Sequence, residues 1–428
     1  MTDVLIKKSE RFGGEIRAPP SKAYTHRMMI AASLSRGSSK ILNPLSSNDT
    51  QATLETIEAF GAKVELKETC WTIKGASPLE TPKKTIDCGE SGSTLRFMIP
   101  VAALAPGSST FTLGLSLSRR PLEPLLQSLK QLGTESSLQR GEQGLTIRVH
   151  GGGISGGKTS IRGDVSSQFI SGLLFACPRA EENTEIAVTT PLESRSYVQM
   201  TLEVLEKHGI KISASDDLSR LKVPSNQNYS SCDHKVSGDF SSASFLLAAA
   251  AITCSKMRVK HLDYHTKQGD KAILDILEEM GSKVSVGYEY VEIEGKQLNA
   301  VDVDAKNIPD LVPVCATLAC YSKGTSKLYN AKRLRYKESD RLSSLHAELK
   351  KMGADINMNE DGLIIRGPCQ LHGATIDPHN DHRIAMACAV AALGASGETK
   401  IQNSECVRKS YPHFFDDLRL LGADVVGG

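Results

Sequence analysis

The sequence predicts an α/β protein of two domains, built from six similar units whose first helices are buried. Its 428 residues suit two domains with three units in each. Six amphipathic segments each end in a glycine, and these glycines lie 69 to 76 residues apart. A period of this length is too long for a small solenoid, so each unit is expected to contain strands and helices of its own.

The six amphipathic segments indicate the second helix of each unit. Before Gly353, for example, Leu342, Leu345, Leu349 and Met352 recur at spacings of three and four, which is the period of an α-helix with one apolar face. Glycine ends such a helix because it adopts the left-handed conformation without strain. The segments are Leu54 to Gly61, Leu125 to Gly133, Leu202 to Gly209, Ile273 to Gly281, Leu345 to Gly353, and Phe414 to Gly422.

An earlier helix is predicted in every unit, polar at its start and apolar on most sides. A helix that is apolar all round must be buried. Its N-terminus carries unpaired N–H groups and a partial positive charge, so six such ends form a natural anion site if they converge. These helices are expected to begin at Ser21, Ser91, Ser166, Ser241, Asp310 and Asp381.

Composition narrows the functional classes. A formal net charge of +2 does not indicate the basic surface that nucleic-acid binding requires. Aromatic residues, at 5% of the sequence, are too few to stack on bases. Met1 to Gly14 has no apolar core of a signal peptide, and the longest apolar run, Ile384 to Leu393, is too short to span a bilayer. Ten cysteines without a CxxC pair indicate small core residues in a reducing cytoplasm, and no residue set has metal-ligand spacing.

One glycine-rich segment imitates a nucleotide-binding motif. Gly152 to Thr159 matches the P-loop pattern, and Gly151 to Gly156 matches GxGxxG. Both motifs hold phosphates only when a helix follows the glycines at once. Here Ser160 to Asp164 has no helical period and contains a further glycine. We therefore expect a connection between strands, and no nucleotide site.

Charged residues recur at the helix starts. Lys22 and Arg27 fall in the first two turns of one helix, where cations oppose the helix dipole unless an anion binds there. The stretch from Arg333 to Leu342 holds six charged residues, and a surface helix capped by Ser339 would explain it if it stood alone. Because cations recur in the same place across the units, the pattern favours a shared site for polyanionic small molecules, with Asp310 and Glu338 as acid–base carboxylates.

At this point the sequence resembles one family, the 5-enolpyruvylshikimate-3-phosphate synthases, over nearly the whole chain. The matching motifs are PPSKAYTHR at 19–27, GESGSTLR at 89–96, RRPLEPLL at 119–126, SSQF at 166–169, GDFSSASFLLAAAAI at 238–252, IPD at 308–310, KESDRL at 337–342, NDHRIAMA at 380–387 and RKSYPHFF at 408–415.

The resemblance implies a two-domain inside-out α/β barrel of six βαβαββ repeats, three per domain, with buried helices. One domain is expected to span residues 19–233, and the other residues 1–18 plus 234–428. The active site is expected in the cleft between them. The resemblance further implies a cytoplasmic protein, which we expect to be a monomer without nucleic-acid or membrane partners.

The implied reaction transfers the enolpyruvyl group of phosphoenolpyruvate to the 5-hydroxyl of shikimate 3-phosphate and releases phosphate, without metal or organic cofactor. By resemblance, Glu338 is the acid at C3 of phosphoenolpyruvate, Asp310 is the base near the sugar hydroxyl, and Lys22 serves both substrates. The positions that match phosphoenolpyruvate contacts are Lys22, Gly92, Arg120, Gln168, Arg341, Arg383 and Lys409. Those that match shikimate 3-phosphate contacts are Lys22, Arg27, Ser166, Ser167, Gln168, Ser194, Asp310 and Lys337.

Three positions depart from the best-known bacterial pattern of the family. Ala23 replaces a serine, and both Glu90 and Arg333 replace asparagines. Loss of one hydroxyl contact should weaken binding by roughly 0.5–1.5 kcal/mol. Glu90 adds a negative charge near anions, so we expect a cationic partner such as Arg96 or Lys22. The pattern around Gly92 leaves glyphosate sensitivity open.

Two alternatives remain. The sister family, which transfers enolpyruvyl to UDP-N-acetylglucosamine, carries a reactive cysteine before its arginine–proline step and lacks the KESDR stretch. The segment Leu115 to Arg119 contains no cysteine, and KESDR is present. A non-catalytic sensor of sugar phosphates on the same scaffold would need the cations but has no use for Asp310 and Glu338.

Overall fold

The computed structural model describes residues 2–9, 11–141 and 144–427. They form two compact units. The continuous unit runs from Ser21 to Val236, and the discontinuous unit combines the chain up to Pro20 with the chain from Ser237 onward. Each unit has its own hydrophobic core.

Twelve α-helices are present in the described part of the chain. They are α1 (Lys22–Ser33), α2 (Asn48–Ala59), α3 (Gly92–Ala102), α4 (Glu123–Gln131), α5 (Ser167–Ala176), α6 (Arg195–Lys207), α7 (Phe240–Ile252), α8 (Ile273–Glu279), α9 (Val312–Tyr321), α10 (Arg341–Lys351), α11 (His382–Ala392) and α12 (Phe414–Leu420). Within the same residues, no helix combines the length and apolarity needed to cross a membrane.

The strands of the described residues are short. They are β1 (Val4–Lys7), β2 (Gly14–Arg17), β3 (Ser38–Leu42), β4 (Lys63–Lys67), β5 (Cys70–Lys74), β6 (Ile86–Asp87), β7 (Ser109–Thr112), β8 (Ser136–Gly141), β9 (Gly144–Val149), β10 (Gly157–Ile161), β11 (Thr184–Val188), β12 (Ser213–Ala214), β13 (Arg220–Val223), β14 (His234–Lys235), β15 (Lys256–Lys260), β16 (Lys283–Gly287), β17 (Tyr290–Glu294), β18 (Val303–Asp304), β19 (Gly324–Tyr329), β20 (Asp355–Met358), β21 (Leu363–Gly367), β22 (Thr375–Ile376), β23 (Glu398–Ile401) and β24 (Val425–Gly427).

These strands form six four-stranded sheets with one common pattern. Each sheet has one parallel pair and two antiparallel pairs, as in the order β6-β7-β9-β8. Along the chain this sheet reads β6-α3-β7-α4-β8-β9, which is a βαβαββ unit. The continuous unit holds three such sheets and the discontinuous unit holds the other three. The expected α/β fold of six repeats is therefore confirmed.

Three sheets include a strand from a distant part of the sequence. In the continuous unit β14 pairs in parallel with β3, almost 200 residues earlier in the chain. In the discontinuous unit β2 pairs in parallel with β15, and β1 lies between β23 and β24. The chain therefore completes a sheet with a distant strand each time it passes from one unit to the other.

The first helix of every repeat is buried, as the sequence predicts. Every residue of α11, and every residue of α7 except Ile252, is buried. Side-chain caps satisfy the first N–H groups of several of these helices. The helix starts predicted at Ser21, Ser91, Ser166 and Asp381 are confirmed. Each of these residues caps its helix and accepts a hydrogen bond from an N–H two or three residues later.

Two predicted helix starts were wrong by one or two residues. Asp239, rather than Ser241, caps α7, because its carboxylate accepts from the N–H groups of both Ser241 and Ser242. Asp310 lies within a 3-10 turn, Pro309–Leu311, and α9 begins only at Val312. The carboxylate of Asp310 therefore does not cap α9 and is available to other side chains.

The P-loop-like segment is a strand connection, as expected. Residues 150–156 join β9 to β10, and Lys158 lies within β10, opposite Glu185 of the parallel strand β11. The next helix, α5, begins at Ser167. The glycines therefore precede a strand and do not introduce a helix that could hold phosphate.

A glycine sets the distance between α3 and α5 in the continuous unit. A Cβ atom added to Gly172 would lie 2.2 Å from the carbonyl oxygen of Arg96, closer than any real contact. The close approach allows Arg96 on α3 to reach Gln168, one turn before Gly172 on α5.

We expect Gly172→Ala to force α3 and α5 apart and to lower the free energy of unfolding by about 1–3 kcal/mol, as overpacked cores do. Denaturant unfolding followed by circular dichroism measures this change. An unchanged midpoint and slope would contradict the packing argument.

Candidate active site

A buried guanidinium organises the polar residues of the discontinuous unit. Arg341 opens α10 and is 1% exposed. Its Nη1 donates to Asp310 Oδ1 at 2.9 Å, its Nη2 to Glu338 Oε2 at 2.6 Å, and its Nε to Asp381 Oδ2 at 2.8 Å. Burial disfavours its charge, but these three carboxylates outweigh burial and raise its pKa. One arginine thus holds carboxylates from three segments.

Three further cations complete this cluster. Arg383 Nη2 lies 3.2 Å from Asp310 Oδ2, and Lys337 Nζ lies 3.7 Å from Asp310 Oδ1. Lys409 Nζ lies 3.5 Å from Glu338 Oε1. The structure therefore brings together all six site residues that the sequence assigned to this unit: Asp310, Lys337, Glu338, Arg341, Arg383 and Lys409.

The charges of the cluster shift two pKa values in ways that matter for chemistry. Burial alone would raise the pKa of Asp310, but Arg383, Lys337 and Arg341 hold it well below its usual range. Burial lowers the pKa of Lys337 to about 8, although Asp310 partly opposes this effect. At neutral pH Asp310 is thus a carboxylate able to accept a hydrogen bond, and Lys337 is close to its titration range.

The start of α10 differs from the simplest interpretation of the sequence. Asp340, and not Ser339, caps the helix by accepting from the N–H of Ser343. Ser339 Oγ instead donates to Asp381 Oδ2 at 3.1 Å. The aspartate takes the cap because its carboxylate reaches the N3 amide, which leaves the serine to join the cluster.

Asp270 is a buried carboxylate that the sequence did not single out. It is 2% exposed, and Ser241 Oγ donates to its Oδ2, while its Oδ1 has no hydrogen-bond partner within the described ranges of the chain. Burial and the nearby charge of Asp310 raise its pKa to about 7. The only signal was Gln268-Gly269-Asp270 before an amphipathic helix, which is equally typical of an ordinary helix start.

In the continuous unit, Lys22 is held by a carboxylate that the sequence likewise did not reveal. Its Nζ lies 2.9 Å from Oδ2 of Asp49, which is 5% exposed in the first turn of α2. The sequence indicated only a favourable helix-terminal charge at this position. The contact fixes the ammonium at the N-terminus of α1, the end of the helix that suits an anion.

Arg27 is anchored rather than exposed. Its Nε donates to Thr201 Oγ1 at 2.8 Å, and its Nη2 donates to the carbonyl of Tyr197 at 2.9 Å. The guanidinium also lies over the ring of Phe97, 5.0 Å from the centroid. Burial lowers its pKa to about 10, so it remains charged at neutral pH. Ser194, 3% exposed, precedes α6 with a left-handed φ of 53°.

The starts of α3 and α5 share a third group of polar residues. Arg96 Nη1 donates to Gln168 Oε1 at 2.7 Å, and Gln168 Nε2 donates to Ser93 Oγ at 2.9 Å. A Cβ atom on Gly92 would lie 3.5 Å from Arg120 Nη1 and 3.6 Å from Arg96 Nη1. Glycine therefore leaves room beside two guanidinium groups. Ser166 caps α5 and Ser167 is its first residue.

The residues that depart from the bacterial pattern have defined surroundings. Glu90, for which a cationic partner was expected, accepts hydrogen bonds from the N–H groups of Ser116 and Leu117 at 3.0 and 2.8 Å. Arg333 Nη2 donates to the carbonyl of Lys306, and its charge contributes to lowering the pKa of Lys337.

Comparison with known proteins identifies the family of the chain. The profile of the family described as EPSP synthase (3-phosphoshikimate 1-carboxyvinyltransferase) matches residues 6–418. The chain belongs to the EPSP synthase family.

Relatives and solved structures agree with this membership. The 3-phosphoshikimate 1-carboxyvinyltransferase of Methanocaldococcus jannaschii is 44% identical over 426 residues, covering 99% of both chains. That of Methanocella arvoryzae is 45% identical over 423 residues, covering 98% of this chain and 99% of the relative. The structure of EPSP synthase from Acinetobacter baumannii superposes with a TM-score of 0.85 at 25% identity and covers all of both chains.

We expect Arg341→Met to lower the free energy of unfolding by about 3–5 kcal/mol, because it leaves three carboxylates without their shared cation. Lys332→Met is the matched control. Lys332 pairs with Glu360 at the surface, where a pair contributes at most about 1 kcal/mol. Equal losses in the two variants by urea unfolding would show that the Arg341 cluster does not stabilise this unit.

Proposed function

We propose that this protein transfers the enolpyruvyl group of phosphoenolpyruvate to the 5-hydroxyl of shikimate 3-phosphate and releases phosphate. The observation that carries the proposal is the Arg341 cluster, in which two candidate acid–base carboxylates, Asp310 and Glu338, share their cations. Phosphate and carboxylate groups of the substrates are the anions that such cations bind. Membership of the EPSP synthase family supports the same reaction.

Acid–base chemistry begins with two proton transfers. Glu338 gives a proton to the C3 methylene of phosphoenolpyruvate, which makes C2 electrophilic, and Asp310 accepts the proton of the 5-hydroxyl as its oxygen bonds to C2. The tetrahedral intermediate then loses phosphate and one methyl proton to form the enol ether. The low pKa of Asp310 keeps it ionised for its role as acceptor.

The substrates themselves prepare Glu338 for its role as acid. In the free protein Arg341 and Lys409 both contact its carboxylate, which favours the charged form. Phosphoenolpyruvate brings its own anionic groups to these cations and competes for them. With their charge shared, these two cations attract the Glu338 carboxylate less strongly.

The remaining assignments follow from residue type and family resemblance. We assign Lys22, Gly92, Arg120, Gln168, Arg341, Arg383 and Lys409 to phosphoenolpyruvate, and Lys22, Arg27, Ser166, Ser167, Gln168, Ser194, Asp310 and Lys337 to shikimate 3-phosphate. Lys22 is shared and takes part in proton transfer. We also propose that the protein is cytoplasmic and a monomer. Its ten free thiols accord with the reducing cytoplasm.

Phosphate release tests the function. The purified protein should release phosphate from phosphoenolpyruvate when shikimate 3-phosphate is added, and should not do so with UDP-N-acetylglucosamine. Release with the nucleotide sugar would assign the protein to the sister reaction. Binding of shikimate 3-phosphate without any release would favour a sensor.

We expect Glu338→Gln to lower turnover by at least ~10²-fold while substrate affinities stay within several-fold, because a general acid acts mainly in the transition state. Glu360→Gln, which changes an exposed glutamate in the same unit, is the control and should be neutral. Steady-state kinetics with both substrates measures the two effects. Near-normal turnover in Glu338→Gln would remove this residue from the acid role.

The affinity for shikimate 3-phosphate should depend on pH through Lys337. Its pKa of about 8 in the free protein means that the ammonium loses its proton as pH rises past this value. Binding the phosphate restores the proton, so affinity should fall by up to about tenfold per pH unit above about pH 8. Lys337→Arg should flatten the profile, because arginine stays charged. Calorimetric titration across this range would contradict the assignment if wild type gave a flat profile.

A further inference from the structure

A strained turn leads into α11, the helix that carries Asp381 at its cap and Arg383 in its first turn. The N–H of Asp381 donates to the carbonyl of Pro378 at 2.8 Å, which closes a four-residue turn. Both central residues have positive φ, 53° at His379 and 54° at Asn380. A turn with two left-handed central residues suits glycine or asparagine best, and two successive non-glycine residues with positive φ are uncommon. The surrounding structure must therefore hold it.

Two carboxylates hold this turn: Asp377, whose Oδ1 accepts from the N–H of His379 at 2.8 Å, and Glu348. Glu348 lies on α10 and is only 1% exposed, a degree of burial that is rare for a glutamate. Its Oε2 accepts from the N–H of Asp377 at 3.1 Å, and its Oε1 lies 3.2 Å from His379 Nε2. Lys351 Nζ lies 2.8 Å from each oxygen and neutralises the charge. The Glu348 carboxylate thus bonds the residue just before the turn and one of the two turn residues with positive φ.

The same helix therefore holds the segment 377–383 at two points. Arg341 bonds Asp381, and Glu348, about two helical turns later, bonds Asp377 and His379. Asp381 in turn accepts from the N–H of Arg383, whose guanidinium lies 3.2 Å from Asp310. We propose that Glu348 is a positioning residue, which holds the Pro378–Asp381 turn in its left-handed form and so fixes Arg383 against Asp310.

Comparison among the six repeats separates this role from the demands of the fold. Glu348 is the fifth residue before the terminal glycine of its helix. The other repeats reach the same architecture with mostly uncharged residues at that position, namely Thr56, Ser128, Val204, Ile276 and Asp417. Because the repeat does not require a buried glutamate there, its presence in the fifth repeat has a local cause, and the turn before α11 is the element that it contacts.

The test uses the full-length protein and rests on the proposed function for its kinetic part. Glu348→Ala should raise the KM for phosphoenolpyruvate by about tenfold or more, since small misplacements of binding groups have large effects, and should change shikimate 3-phosphate affinity only several-fold. Glu279→Ala is the matched control, an exposed glutamate on α8 of the same unit. In the free protein, amide hydrogen exchange over residues 382–385 should become faster in Glu348→Ala and remain unchanged in Glu279→Ala.

A rescue experiment distinguishes positioning from general destabilisation. Asn380→Gly relieves the left-handed strain at one position. In the Glu348→Ala background it should therefore lower the raised KM for phosphoenolpyruvate by at least about threefold. Asn380→Ala adds strain at the same position, and in the same background it should raise the KM for phosphoenolpyruvate further. Glu348→Gln keeps an oxygen for the N–H of Asp377, and it should therefore fold and show an intermediate effect.

The outcomes separate the two proposals. If Glu348→Ala leaves the KM for phosphoenolpyruvate and the exchange of 382–385 unchanged, Glu348 does not position this turn. If both substrates are affected equally and Asn380→Gly brings no recovery, its role is only structural, and the proposal is again wrong. If wild type releases no phosphate, the proposed function fails, while the exchange measurement still decides whether Glu348 holds the turn.

Discussion

The three ion pairs of Arg341 are the interactions on which the rest of the candidate site depends. A guanidinium that is 1% exposed is costly to bury, and it is tolerated because its donors meet carboxylates on three sides. The arrangement is reciprocal, since the same cation compensates the burial of the carboxylates of Asp381, which is 0% exposed, and Asp310, which is 16% exposed. The cluster therefore fixes three chain segments with one residue.

The repeat architecture explains why charges can be gathered in this way. Each repeat buries its first helix, so only the polar start of that helix remains available for chemistry. Ser21, Ser91, Ser166 and Asp381 satisfy the first amides without introducing bulk. Where the cap is replaced by a 3-10 turn, as at Asp310, the carboxylate pairs instead with Arg341 and Arg383. Variation at one structural position of the repeat thus produces different contacts.

Periodicity in the sequence predicted the repeats and the buried helices, because it is a local signal. Charge at helix starts, together with the resemblance to the family, predicted Asp310, Lys337, Glu338, Arg341, Arg383 and Lys409. The sequence could not predict Asp49 or Asp270, since a carboxylate in the first turn of a helix is ordinary. Their significance depends on which side chain lies opposite, and that is decided by packing between helices. Glu348 gave a stronger signal, a charge on the apolar stripe that continues from Leu345 to Leu349 and Met352, but the pattern did not reveal its partner.

The exchange of strands between distant parts of the chain has a consequence for synthesis on the ribosome. The continuous unit has all its strands once β14 has emerged, after little more than half of the chain. The discontinuous unit contains β1, whose neighbours β23 and β24 are translated last. Its first strand must therefore wait, unpaired, through nearly the whole of translation. N-terminal segments with exposed strand edges are prone to aggregation during that interval. The shortness of β1 and β2, four residues each, limits the edge that a nascent chain presents to its neighbours.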